Sequence, residues 1–221
     1  MNLRRDVPIV VAAIAAIVGA SLDGDGRWLH YIAKPLTTLL IAAIAWRASG
    51  DPGYRRAILA GMALSCIGDI ALMLPSDAFV PGLVAFLLAH LCYIVAFRAG
   101  FKAGRALILS AALLAIFAGS NLIGLWPLLP GELRIPVVAY VLVLALMATL
   151  ALARGPRFAA VGAVFFVISD CALAWDRFGG GLPAASLIVL STYYAAQYCI
   201  ARSVPWWDRS TDDRPETHNT R

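Results

Sequence analysis

The sequence predicts an all-helical membrane protein with about eight transmembrane helices, arranged as two parallel repeats of four helices. Three observations lead to this prediction. The 221-residue chain is 61% hydrophobic and only 14% charged, whereas soluble domains are usually about 45–50% apolar and about 25% charged. Its apolar runs are long enough to cross a bilayer, and its second half resembles its first. The basic residues are spread over several connections, so the net charge of +5 does not indicate a nucleic-acid partner.

Eight runs approach the roughly 20 apolar residues that a membrane-spanning helix needs. They lie at about 7–22, 28–46, 57–74, 80–97, 106–125, 135–153, 158–175 and 183–202, and form one predicted domain over residues 1–202. The polar residues 203–221 predict a disordered cytoplasmic tail. Span 1 also fits a secretory signal peptide, since Arg4 and Arg5 precede its apolar run. Cleavage would leave seven spans.

The basic residues predict the orientation of the spans. Fourteen of the 18 Lys and Arg residues fall on one side of the predicted membrane, and Lys34 lies inside span 2. The other side has three, namely Arg27, Arg134 and Arg177. Because cytoplasmic connections carry the excess of Lys and Arg, both termini are predicted in the cytoplasm. The predicted location is a bacterial-type inner membrane.

A shift of 101 residues superimposes the second half of the chain on the first. Between positions 56 and 72, six of the 17 aligned positions are identical, including Arg56 with Arg157 and Asp69 with Asp170. Four spans is an even number, so the two halves have the same orientation. Sites commonly lie at the interface between such repeats. An accidental match between small, apolar helices is the alternative.

Asp69 and Asp170 lie in matched, apolar surroundings. A carboxylate at the centre of a membrane helix costs about 2.5–3.5 kcal/mol on insertion scales, so two of them indicate a role. Each is 13 residues past an arginine at the start of its span. At about 1.5 Å per residue, both lie roughly 20 Å from the cytoplasmic surface, beyond the midplane of a core about 30 Å thick.

Other polar residues are predicted at similar depth. Polar groups this deep usually face a bundle interior or a water-filled cavity, so the sequence predicts one shared cavity. Its candidates are Lys34, Asp69, His90, Tyr93, Ser169, Asp170, Tyr194 and Gln197. Each also has a structural interpretation: Lys34 can extend to the interface, and the uncharged side chains can join helices by hydrogen bonds.

The residue pattern favours acid–base chemistry over other catalytic sites. A metal site on His90, Asp69 and Asp170 lacks the usual His-x-x-x-His or Glu-x-x-His spacing, so no metal or other cofactor is predicted. No Gly-x-Ser-x-Gly motif accompanies Ser169. Two neighbouring carboxylates repel each other, which keeps one protonated beside an ionised partner.

At these positions the chain resembles the YhhN-like lysoplasmalogenase family of eight-span membrane proteins. The matching motifs are Lys34-Pro35-Leu36, Gly68-Asp69, Ala89-His90 with Tyr93, Ser169-Asp170, and Tyr194 with Gln197. The resemblance implies hydrolysis of the vinyl-ether bond of lysoplasmalogens. It also implies Asp69 and Asp170 as the catalytic pair, with the other residues lining the site of a lysophospholipid drawn from the bilayer.

Two further interpretations stay open on the sequence alone. Intramembrane acids with a lysine and a histidine also suit a proton-coupled transporter, which acts only across a sealed bilayer. A structural or lipid-sensing membrane protein would need neither aspartate for turnover. An oligomeric state is not predicted.

Overall fold

The structure is a computed structural model that describes residues 3–22, 24–75, 77–98, 104–154 and 156–207. Within these residues the chain forms eight α-helices and short 3₁₀ turns. The helices are α1 (Leu3–Ala20), α2 (Trp28–Arg47), α3 (Pro52–Met73), α4 (Phe79–Phe97), α5 (Arg105–Leu125), α6 (Arg134–Arg154), α7 (Arg157–Phe178) and α8 (Ala185–Trp207). Each coincides with one predicted span, so the all-helical fold is confirmed.

Six helices, α2 to α7, are long and apolar enough to cross a membrane. The apolar part of α1, Asp6–Ala20, is shorter. α8 is long enough but less apolar, because it carries Tyr193, Tyr194 and Gln197. It also ends at Trp207, five residues beyond the predicted end of span 8. The rest of the predicted tail, residues 208–221, lies outside the described residues.

Local sequence explains where α3 begins. Asp51 precedes the helix, and its carboxylate accepts a hydrogen bond of 2.6 Å from the backbone N–H of Tyr54. Pro52 occupies the first helical position, where the missing N–H costs nothing because that group has no partner within the helix. This cap fixes the start of the helix that carries Asp69, 17 residues further along.

The packing of the helices follows the repeat. α3 packs on α4 as α7 packs on α8, and α2 contacts α8 as α6 contacts α4. A glycine at the same repeat position permits each close approach. A Cβ atom at Gly61 would collide with the ring of Tyr93 on α4, and one at Gly162 would lie 2.9 Å from the carbonyl oxygen of Ala196 on α8. The predicted repeat therefore corresponds to repeated contacts.

Opposite ends of the bundle have their own contacts. At the end where α3 begins and α8 finishes, the Tyr54 hydroxyl lies 2.7 Å from the Ser203 hydroxyl. At the other end, the rings of Phe79 and Phe178 pack edge to face at 5.6 Å. We call this second end the arginine-poor end, since it carries only three arginines, Arg27, Arg134 and Arg177.

One pair of contacts breaks the repeat. α1 packs against α8, but its counterpart α5 packs on α6 and α7 and makes little contact with α4 across the described residues. The two halves therefore differ on the outer side of α4, where α3, α4, α5, α6 and α7 leave a cleft between them.

Candidate functional site

Asp69 is buried inside the bundle, where its carboxylate contacts three side chains. Its side chain is 1% exposed, and Lys34 Nζ lies 3.4 Å from its Oδ1 oxygen. The second oxygen, Oδ2, accepts hydrogen bonds from the hydroxyls of Thr38 at 2.8 Å and Tyr193 at 2.7 Å. Lys34 and Thr38 are one turn apart on α2, so a single helix face supplies both the cation and a donor. The ion pair to Oδ1 and the two hydrogen bonds to Oδ2 each favour the ionised form of this carboxylate.

Further hydrogen bonds extend this cluster toward α4. Gln197 Nε2 donates to the Tyr193 hydroxyl at 3.2 Å, and the Tyr93 hydroxyl donates to Gln197 Oε1 at 3.0 Å. We call the whole set the Asp69 network, and its members are Lys34, Thr38, Asp69, Tyr93, Tyr193 and Gln197. All six side chains are buried, which makes the network part of the protein interior.

Asp170 has different partners and a different exposure. The Tyr140 hydroxyl donates to its Oδ2 oxygen at 2.7 Å. His90 Nε2 lies 3.0 Å from the Tyr140 hydroxyl oxygen and 3.3 Å from the same Asp170 oxygen. Because the tyrosine proton points at the carboxyl group, a proton on His90 Nε2 satisfies both contacts. We call these three residues the Asp170 triad.

The Asp170 triad lies at the wall of the cleft. The cleft holds roughly 930 Å³ of empty space, part of it open to the surroundings, and its lining is almost entirely apolar. The polar residues in its lining are Asp170, Tyr140, Asn121 and Cys171. The Asp170 side chain is 12% exposed, and its Oδ1 oxygen takes part in none of the described hydrogen bonds. This oxygen is the one free to meet a ligand.

Aromatic rings lie along the route between the two carboxyl groups. From Asp69 the contacts run through Tyr193, whose ring is 5.9 Å from that of Phe166. The Phe166 ring is 5.2 Å from the ring of His90, which reaches Asp170. No described hydrogen bond or ion pair joins the two aspartates. The structure therefore brings each aspartate together with its own partners, in two adjacent clusters.

Known proteins resemble this chain along most of its length. The sequence model of the YhhN family matches residues 29–204. The chain belongs to the YhhN family. A human relative, lysoplasmalogenase TMEM86B, is 39% identical over 176 residues, which cover 80% of this chain and 75% of the human protein. The lysoplasmalogenase of Mycobacterium tuberculosis is 34% identical over 90% of this chain and 78% of its own length. No solved structure matches.

Most of the predicted site residues of this YhhN-family protein do not line the cleft. Of the eight, only Asp170 does so. Ser169 donates to the Val189 carbonyl at 3.0 Å and so joins α7 to α8, while Tyr194 is buried with its hydroxyl beside Thr37. Across the described residues, no three His, Cys, Asp or Glu side chains come together as a possible metal site.

Three residues of these clusters were not among the site residues predicted from the sequence: Thr38, Tyr140 and Tyr193. Helical spacing contained a signal for two of them. Thr38 is four residues after Lys34, and Tyr193 is four residues before Gln197, so each shares a helix face with a predicted residue. Tyr140 is six residues into α6, at the depth that singled out Lys34 on α2. Its hydrogen bond to Asp170 could not be predicted from the sequence, because that requires knowing how α6 and α7 are rotated relative to each other.

The arrangement provides one chemically accessible acid in an apolar cavity. Ligand sites commonly combine an apolar lining with a few converging polar groups, and the cleft has this character. The triad holds Asp170 through its Oδ2 oxygen while Oδ1 stays available for proton transfer. The Asp69 network contains the buried Lys34–Asp69 ion pair, which the rings of Tyr193 and Phe166 separate from Asp170. This arrangement is chemically suited to general acid–base chemistry on an apolar ligand.

Proposed function

We propose that this protein is a membrane-embedded ether hydrolase that cleaves the vinyl-ether bond of lysoplasmalogens. These single-chain lipids would yield a fatty aldehyde and glycerophosphoethanolamine or glycerophosphocholine. The observation that carries the proposal is the position of Asp170, an acid held by Tyr140 and His90 on the wall of an apolar cleft. The names of the human and mycobacterial relatives favour this reaction over proton-coupled transport.

Asp170 is the proton donor in this proposal. Its Oδ1–H protonates the outer alkene carbon, and the alkene electrons leave an oxocarbenium ion at the ether carbon. The new Asp170 carboxylate lies beside this cation and stabilises it. Water adds to the cation and returns a proton to the carboxylate, and the resulting hemiacetal collapses to aldehyde and alcohol. One water is consumed and the enzyme is regenerated.

Asp69 is the ionised partner, and its contribution is indirect. Lys34, Thr38 and Tyr193 all stabilise its negative charge. The Asp69 network holds α2, α3 and α8 together next to the aromatic rings that pack on His90. The two carboxyl groups predicted from the sequence thereby take unequal roles: Asp170 transfers protons, and Asp69 holds the interior around it in place.

The weak packing between α4 and α5 suits a substrate that enters from the bilayer. α5 is exposed along much of its length, with Leu109, Leu113 and Ile116 each at least 65% exposed. A lipid chain can reach the cleft between these helices without passing through water. We further propose that the protein lies in a bacterial-type inner membrane with both termini in the cytoplasm, which places the arginine-poor end at the exterior.

The reaction is tested with purified protein in detergent and three matched lysophospholipids. One carries a 1-alkenyl chain, one a saturated 1-alkyl chain and one a 1-acyl chain. We expect aldehyde only from the alkenyl lipid, and in D₂O a single deuterium at carbon 2 of that aldehyde. Fatty acid release from the acyl lipid would contradict the proposal. So would activity that appears only as lipid movement across sealed vesicles, as a transporter requires.

A further inference from the structure

An arginine that the proposed reaction has not used lies beside the end of the cleft formed by Phe79 and Phe178, which we call its mouth. Arg177 lies one residue before the end of α7, and its Nη2 contacts both carboxylate oxygens of Asp77, at 2.8 and 2.7 Å. Its guanidinium also stacks on the ring of Phe79 at 5.2 Å. Phe79 and Phe178 both line the cleft. The arginine therefore stands where the apolar cleft meets the arginine-poor end of the bundle.

Arg177 and Asp170 share a helix face. They are seven residues apart on α7, which is close to two helical turns, or roughly 10 Å along the axis. The cleft also continues in the other direction from Asp170, toward Leu114 and Ala145. A ligand lying along α7 would therefore meet apolar side chains first, then the acid, and finally the cation.

A lysoplasmalogen has the same order of groups. Its alkenyl chain comes first, then the vinyl ether, then glycerol and phosphate. Seven bonds join the outer alkene carbon to the phosphorus, and an extended chain covers about 3.5 Å for every three bonds, so they span roughly 8 Å. That length fits between an acid and an arginine whose positions on the helix differ by roughly 10 Å, since the arginine side chain is long and flexible.

We propose that Arg177 binds the phosphate of the substrate and so sets the vinyl ether opposite Asp170. This inference rests on the proposed function and adds the head-group site to it. Asp77 is the resting partner of Arg177, and the phosphate displaces it. The guanidinium forms paired hydrogen bonds equally well to a carboxylate or a phosphate.

The exchange costs little because the resting ion pair is exposed. The side chains of Arg177 and Asp77 are 43% and 66% exposed, and exposed pairs stabilise proteins only weakly. Lys34, a second cation near the site, is buried and paired with buried Asp69. A cation free to change partners at the mouth is better suited to phosphate than one held in the interior.

Binding of two non-hydrolysable ligands tests the proposal without requiring turnover. The ligands are 1-dodecylglycerophosphocholine and 1-dodecylglycerol, which differ by the phosphocholine, titrated into detergent-solubilised protein. Arg177→Ala should weaken binding of the phosphate-bearing ligand by roughly 10- to 100-fold, the range of a charge-assisted hydrogen bond, and that of dodecylglycerol less than twofold. Arg177→Lys should recover part of the loss, and Asp77→Asn should tighten phospholipid binding by removing the competing carboxylate.

Arg134→Ala is the matched control. Arg134 is also at the arginine-poor end and stacks on an aromatic ring, that of Trp126 at 5.0 Å. Trp126 does not line the cleft, whereas Phe79, the ring against Arg177, does. Equal phospholipid affinity in Arg177→Ala and wild type would overturn the proposal. Equal losses of affinity for both ligands in Arg177→Ala and Asp77→Asn would also overturn it. That result would show that the Arg177–Asp77 ion pair only stabilises the structure at this end of the cleft. Failure of vinyl-ether hydrolysis would be seen separately, in aldehyde release.

Discussion

Asp69→Asn should damage this protein mainly by leaving Lys34 without its partner. The Lys34 and Asp69 side chains are 9% and 1% exposed, so the lysine charge would remain in the interior with nothing to balance it. Removing one member of a buried ion pair typically costs about 3–5 kcal/mol. For a chain of this length about 2–4 °C accompanies each kcal/mol, so the melting temperature should fall by roughly 6–20 °C.

The double variant Lys34→Met/Asp69→Asn separates the ion pair from catalysis. With both charges gone, most of the lost melting temperature should return, because no uncompensated charge stays buried. Thermal unfolding in detergent measures this, and aldehyde release is measured on the same samples. A double variant no more stable than Asp69→Asn would refute the ion-pair reasoning. A stable double variant that is as inactive as Asp170→Asn would restore Asp69 as a direct participant.

Three other substitutions probe the site and its supports. Tyr140→Phe removes a donor to Asp170, so kcat should fall about tenfold with KM unchanged in steady-state assays. Gly61→Ala sets a methyl group against the Tyr93 ring and should cost about 1–3 kcal/mol of stability, visible as a lower melting temperature. Ala145→Phe narrows the inner part of the cleft, so kcat/KM for a long alkenyl chain should fall more than for a short one; equal losses would contradict the assigned chain path.

Much of the fold follows from hydropathy and the internal repeat. The apolar runs located all eight helices, and the match of Gly61 with Gly162 corresponds to the shared packing of α3 on α4 and α7 on α8. The different packing of α1 and its counterpart α5 was not predictable. α5 is apolar on all sides: Ile108 is exposed, whereas Leu114 and Phe117 line the cleft. Hydropathy does not distinguish a side chain facing lipid from one facing a cleft.

The sequence predicted several residues of the site but not how they are grouped. The sequence selected both aspartates, and helical depth placed Lys34 and His90 near them. It grouped all the polar residues in a single cavity, whereas the structure divides six of them between the Asp69 network and the Asp170 triad and leaves Ser169 and Tyr194 in neither. Phe166 lies on the route between these clusters, and in the sequence a phenylalanine in an apolar helix is indistinguishable from any other core residue.

Asp170→Asn tests the central claim most directly. Asparagine keeps the shape of the side chain and an acceptor for Tyr140, but it has no acidic proton for the alkene. Aldehyde release from 1-alkenyl lysophospholipid should fall by about 10²- to 10⁴-fold, the usual contribution of a general acid. The melting temperature and the affinity for 1-dodecylglycerophosphocholine should stay close to those of the wild type. Aldehyde release at the wild-type rate would contradict the assignment of Asp170 as the proton donor.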